Sequence, residues 1–390
     1  MAGAMNILDM TYFGVAAAIL SFAGSVLIVF SQNWHGKHSL DHDLSAIQKV
    51  HTIAVPRIGG IAVMTGLIFS GIFFVIANPP LVKAINILDV FKLIFASCPI
   101  FLVGTLEDLT KRVSVKARLV ASIISALLAS WLSGAIIDGL DIWGFDALLT
   151  IIPFAILVTA FVVAGGTNAI NIIDGFNGIA ATVVIIMLAA LGFLAWQCGD
   201  GLVTQLALLI GGAAFGFLIV NYPTGRLFLG DGGAYLLGFL VSEVMILLLI
   251  RNPSINAWQV LAICAYPIIE VLYSIYRRKI VRKMSPGHAD RLHLHALIYR
   301  RVVCQLLRHN PAKPWLRNAS VVCFVGTWVA VMSFIAVFAG NTIAGALVIV
   351  AVQVALYLAI YARLVRGNWR WHAVRAVSGG LLIVADVEMP

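Results

Sequence analysis

Four short polar segments interrupt an otherwise apolar chain, and each carries side chains suited to phosphate or metal chemistry. The richest is NAINIIDGFNGIA, Asn168 to Ala180. Asn168, Asn171 and Asp174 recur every three residues, so a helical continuation of the preceding apolar run presents all three on one arc. Gly175 and Gly178 then loosen the backbone where the chain turns back. An ordinary helix end at a membrane favours Lys or Arg and has no need of three short polar side chains on one face.

The second segment, GTLEDLTKRVSVKAR, sets the adjacent acids Glu107 and Asp108 ahead of Lys111, Arg112, Lys116 and Arg118. Two close carboxylates either perturb each other's pKa or hold a cation, and both states suit proton transfer or metal binding. In RLFLGDGGAYLLGF, Asp231 lies among Gly230, Gly232 and Gly233 directly before an apolar run. Such glycines let a ligand approach the backbone, and free N–H groups at a helix start favour anions. A tight turn capped by the aspartate is the alternative. In HADRLHLHAL, an extended segment puts Arg291, His293 and His295 on one face and Leu292 and Leu294 on the other. This reads as a donor set for a polyanion. A zinc site is the rival, but no Cys or fourth His is near. The next stretch, LIYRRVVCQLLRHN, reads as an amphipathic helix on the membrane surface. Oxygen ligands in company with phosphates point to Mg²⁺ rather than zinc or copper.

The elements that must position these side chains are membrane spans. Of 390 residues, 61% are hydrophobic and 11% charged, and the mean hydropathy is +1.01. Soluble domains carry about 25% charged residues. Apolar blocks long enough to cross a bilayer as helices fall near 12–30, 58–77, 85–104, 118–137, 148–166, 179–197, 202–221, 234–250, 258–276, 319–339 and 343–363. The expected fold is therefore all-α, a polytopic integral membrane protein with about eleven transmembrane helices. The whole chain, 1–390, reads as one domain. The alternating ten-residue segments of a membrane barrel are missing. No Lys or Arg precedes Lys37, so a cleaved leader is not expected.

Charge sets the sides. With the N-terminus outside, in the periplasm, 23 of the 26 Lys and Arg fall on the inner side. All four motifs follow odd-numbered spans, so they gather at the cytoplasmic face. The net charge of +9 is then a consequence of topology and attraction to anionic membrane lipids, and no nucleic-acid partner is expected. The five cysteines are scattered and suggest neither a disulfide framework nor a zinc site.

These motifs, in this order, resemble the polyprenyl-phosphate N-acetylhexosamine-1-phosphate transferases. That family includes the phospho-muramoyl-pentapeptide transferase and the enzymes that begin O-antigen and common-antigen assembly. The similarity runs from about Gln48 to Tyr299. QKVHTIAVPRIGG resembles the family's first cytoplasmic loop, with Lys49, His51 and Arg57 in place. Asp108 matches the second of two family aspartates, and Glu107 stands for the first. Asn168, Asn171 and Asp174 match N-x-x-N-x-x-D-G. Asp231 matches the glycine-flanked metal ligand. Asp290, Arg291, His293 and His295 match D-R-x-H-L-H-H, with Ala296 replacing the last histidine. The chain is more similar to the O-antigen and common-antigen branch.

What the resemblance implies is transfer of N-acetylhexosamine-1-phosphate from a UDP-sugar to undecaprenyl phosphate at a bacterial inner membrane, with UMP released and a cell-surface polysaccharide begun. It implies Mg²⁺, or Mn²⁺ in its place, on Asp231. Asp108 would take or position the lipid phosphate's proton, with Glu107 beside it. Asp174, Asn168 and Asn171 would orient nucleotide or water. Lys49, His51, Arg57, Lys116, Arg118, Arg291, His293 and His295 would bind the substrates. A homodimer is implied as well. The rival class is a proton-coupled transporter, suggested by Glu243 and Glu270 within or near spans. Carriers, however, hold their acids near the midplane, whereas the richest motifs here lie at span ends.

Overall fold

Apolar side chains over some twenty residues leave the backbone no water to bond, so each block must satisfy its own N–H and C=O groups as a helix. A computed structural model describes residues 7–40, 54–77, 87–281, 283 and 292–366. They form α1 (Ile7–Phe30), α2 (Gln32–Ser39), α3 (Gly59–Ala77), α4 (Ile87–Thr110), α5 (Val115–Ser133), α6 (Asp146–Leu149), α7 (Ile152–Ile173) and α8 (Ile179–Gln197). Then follow α9 (Gly201–Asn221), α10 (Gly230–Arg251), α11 (Ala257–Ile263), α12 (Ala265–Tyr276), α13 (Leu294–Ile298), α14 (Cys304–Leu306), α15 (Leu316–Ala339) and α16 (Ile343–Val365). Ten of these are long and apolar enough to cross a membrane. An eleventh span forms if α11 and α12, bent by 81° at their junction, count as one. The all-α polytopic fold is as expected, and every expected block has its helix.

The centre of the bundle is α10. Its span is 83% buried, against 28% for α1 and 22% for α16, which face lipid. A helix apolar on every side belongs inside. In lipid, helices gain little from burying apolar surface and associate through close packing of small residues. Accordingly α1 lies on α9 backbone to backbone: a Cβ built on Gly212 would fall 2.1 Å from the Gly14 carbonyl oxygen, and one on Gly216 2.1 Å from that of Ala18. At the end of the bundle far from the site, Asp200 caps α9 by accepting from Val203 N and also accepts from Arg251 Nε at 2.7 Å, which ties α9 to the end of α10.

The surface helix expected after the histidines is present, with its apolar side packed on the bundle. Leu294, Leu297, Ile298, Val302 and Val303 are buried, while Arg300 and Arg301 are exposed. Tyr299–Val303 forms a π-helical stretch between α13 and α14.

Candidate active site

Three backbones converge where α10 begins. Gly230, at φ +75°, takes a conformation that L side chains rarely adopt, and a Cβ there would fall 2.0 Å from Arg57 O and 2.5 Å from Asp108 Oδ2. A Cβ on Gly60 would meet Gly233 N at 2.3 Å, and one on Gly104 would meet Gly232 Cα at 2.7 Å. The starts of α3 and α10 and the end of α4 thus touch with no side chain between them. The link before α3 is pinned by Arg57 N donating to Ser39 O, Phe228 N to Pro56 O, and Gly59 N to Phe228 O, each at 2.8–2.9 Å. This clamp sets Arg57 over the junction.

Asp108 closes it. Its carboxylate accepts from Asp231 N at 2.8 Å and Gly232 N at 2.9 Å, one bond to each oxygen, and its side chain is 2% exposed. The N–H groups at the start of α10, expected to be free for an anion, are therefore already taken. The adjacent acids do not act as a pair either. Neighbouring residues on a helix project about 100° apart, and Glu107 turns the other way to accept from Val113 N at 2.7 Å, holding the α4–α5 turn.

Asp231 is then held by side chains from three other segments. Its Oδ2 accepts from Arg118 Nη1 at 2.6 Å, and its Oδ1 from Asn171 Nδ2 at 3.1 Å. Arg57 Nη2 lies 3.7 Å from Asp231 Oδ1 and 3.8 Å from Asp108 Oδ1. The Arg118 guanidinium also lies 5.9 Å from the centre of the Tyr235 ring, one helical turn beyond Asp231. Sequence reasoning passed over Tyr235, although its i+4 spacing from Asp231 was the available signal.

Asn168 and Asn171 lie in the last turns of α7, with Asp174 as its cap residue, much as their spacing implies. Asn168 donates to Ala164 O of its own helix. Asp174 accepts no hydrogen bond from the described residues. Burial pushes its carboxyl up to about 7; Arg57 draws it down and Asp231 pushes it further up. A carboxyl so raised favours the folded state while protonated, and that contribution is lost as pH climbs from the ordinary 3.8 through about 7. Asp174→Asn is therefore expected to gain thermal midpoint relative to the parent at pH about 8, and the gain shrinks towards pH about 5. A difference that does not vary with pH, measured by thermal unfolding in detergent, contradicts this placement.

The histidine loop joins from the other side. His293 is extended, as expected, but Leu294 onwards is helical because Leu294, Leu297 and Ile298 carry the i, i+3, i+4 apolar spacing. His295 Nε2 faces Gly175, where a built Cβ would fall 3.1 Å away, and its ring meets Phe176 edge to face at 5.8 Å. The third asparagine of the opening stretch is structural. Asn177 N donates to Asn318 Oδ1, Asn177 Nδ2 to Pro223 O, and Gly178 N to Asn221 Oδ1, tying together the loop ends that frame the site.

One end of the bundle thus gathers Arg57, Asp108, Arg118, Asn171, Asp174, Asp231 and His295. Residues 90–249, which run from α4 to α10, match the family model "Glycosyl transferase family 4". The chain is 26% identical over 255 residues to a probable undecaprenyl-phosphate N-acetylglucosaminyl 1-phosphate transferase of Bacillus subtilis, covering 65% of this chain and 68% of the relative. It is 29% identical over 287 residues to an undecaprenyl-phosphate alpha-N-acetylglucosaminyl 1-phosphate transferase of Thermotoga maritima, covering 73% and 80%. A phospho-N-acetylmuramoyl-pentapeptide-transferase of a Geobacillus species is 26% identical over 247 residues, covering 60% and 74%.

The segment from α4 to α10 is thus similar to glycosyl transferase family 4. The segment matched to family 4 holds Glu107, Asp108, Lys116, Arg118, Asn168, Asn171, Asp174 and Asp231. Of these, Lys116 is exposed on the first turn of α5 and makes none of the bonds above. Outside the matched segment, Arg57 reaches the junction, while His295 faces Gly175 with His293 stacked on it. Lys49, His51 and Arg291 fall outside the described residues. No group of three or more His, Cys, Asp or Glu able to hold a metal occurs among the described residues.

Proposed function

We propose that this protein, like the family 4 enzymes it resembles, transfers N-acetylhexosamine-1-phosphate from a UDP-sugar to undecaprenyl phosphate, releasing UMP. The observation that carries the reading is Asp231: a carboxylate at the start of the central helix, backed by Asp108 and faced by Arg118, Arg57 and Asn171. Two polyanions must meet in this reaction, so neutralising and positioning charge dominates the barrier. Arg57 and Arg118 are the donors for the diphosphate, with His295 closing the far side. Asp231 would hold Mg²⁺, which when bound supplies positive charge to the diphosphate oxygens. Asp174 takes the proton of the lipid phosphate as that oxygen attacks the sugar-linked phosphorus and the bond to UMP breaks. Asp108, with both oxygens committed to backbone N–H groups, fixes Asp231 instead. The apolar helix faces receive the prenyl chain.

The distribution of basic residues supports placing this end in the cytoplasm, with the bundle in the bacterial inner membrane. The prenyl-diphosphate sugar formed there is a starting point for a cell-surface polysaccharide. A carrier gains no support: the relatives matched above are named as transferases, and Glu270, one of its two suggestive acids, is bonded within the protein. The test is UMP release by the purified protein supplied with undecaprenyl phosphate and UDP-N-acetylglucosamine. Release is expected to stop with EDTA and return with Mg²⁺. Release that is indifferent to chelation rejects the metal, and none under any condition with a panel of UDP-N-acetylhexosamines rejects the transfer.

A further inference from the structure

Beyond the acid cluster, Glu270 is a buried ionisable group with both oxygens engaged, on α12 shortly after the 81° bend. Its side chain is 1% exposed. Oε1 accepts from His293 Nδ1 at 2.9 Å and Leu294 N at 3.1 Å, and Oε2 lies 3.2 Å from the same Leu294 N. An ionised carboxylate only accepts, so His293 carries its proton on Nδ1 and leaves Nε2 as an acceptor. Arg278 Nη2, a donor, lies 3.5 Å from that Nε2. The His293 ring stacks on His295, with centroids 5.3 Å apart and planes within 2°. His295 in turn faces Gly175, beside Asp174. About two helical turns beyond Glu270, Arg277 Nη1 donates to Leu292 O and to the Tyr361 hydroxyl. Glu270 and Arg277 therefore grip the loop at three successive residues, Leu292, His293 and Leu294.

We propose that Glu270 is a positioning residue for the transfer: it fixes the tautomer and orientation of His293 and, through the stacked His295, the edge of the site beside Asp174. This rests on the transferase reading above. Partners that orient a working histidine typically contribute about 10- to 100-fold in activity. Glutamine at this position keeps an acceptor for His293 but loses the charge.

The test is a double-mutant cycle on the purified full chain, together with ¹⁵N NMR of histidine-labelled protein. Glu270→Gln is expected to lower UMP release by about 10- to 100-fold while the thermal midpoint stays within a few degrees of the parent. In a His293→Ala background the same change is expected to cost less than about twofold, because the residue it acts through is gone. Losses that multiply independently overturn the proposal. The NMR measurement stands apart from activity: His293 is expected in the Nδ1–H tautomer in the parent, and an Nε2–H tautomer overturns the proposal even where Glu270→Gln fails to fold. If the parent releases no UMP at all, the transferase reading fails, and the tautomer shows whether the Glu270–His293 bond itself exists.

Discussion

Asp231→Asn is expected to lower transfer by about a thousandfold or more, with the thermal midpoint within a few degrees of the parent. The substitution keeps the side chain's shape and an acceptor for Asn171, and removes the charge that faces Arg118 at 2.6 Å and Arg57 at 3.7 Å. A cation bridging phosphates contributes several kcal/mol to transition-state stabilisation. Losing about 4 kcal/mol of it is three decades of rate, since each decade is ~1.36 kcal/mol. Stability suffers much less. The Arg118 and Arg57 side chains are 20% and 28% exposed, so water can compensate part of the lost pairing. The measurement is UMP release at saturating substrates across a Mg²⁺ titration, beside a thermal unfolding curve. Near-normal turnover contradicts the assignment.

Asp108→Asn behaves differently, because it costs stability as well as rate. Both carboxylate oxygens are occupied by backbone N–H groups at the start of α10. An amide must turn its NH₂ towards one of them and leave that donor without a partner, which costs about 1–3 kcal/mol in a buried site. The charge favoured at a helix N-terminus is lost too. The expected result is a thermal midpoint lower by several degrees and transfer down by about a hundredfold, as the start of α10 and Asp231 with it lose their fixed position. If Asp108 worked only as a proton acceptor, the rate would fall and the midpoint would hold. The unfolding measurement separates the two roles.

The comparison of Asp108 with Asp231 also shows how much the sequence makes legible. Span number, span limits and the sharing of one bundle end by the motifs follow from hydropathy and the placement of Lys and Arg, because a bilayer allows few alternatives to helices of fixed length. The three-residue spacing of Asn168, Asn171 and Asp174 reads directly as one helical arc. Partners across the bundle were not legible. Nothing local says that Asp108 caps a helix starting at Gly230, or that Glu107 bends away to Val113 N. Glycines in a row read equally well as room for a ligand and as room for another backbone; here Gly60 and Gly104 take that room. Nothing local says that Asn177 serves as a tie to Asn318 and Pro223. Glu270 could be read from its span as a carrier's acid, whereas its bond to His293 is a contact across 23 residues.

The most direct measurement follows the phosphorus atoms of the donor. Purified protein is supplied with Mg²⁺, undecaprenyl phosphate and UDP-N-acetylglucosamine labelled with ³²P at either the α or the β phosphate. Transfer of sugar-1-phosphate moves the β label into the lipid phase and leaves the α label in water-soluble UMP. Label found in UDP, in free sugar phosphate, or nowhere but the intact donor across the whole panel of UDP-N-acetylhexosamines contradicts the proposed reaction.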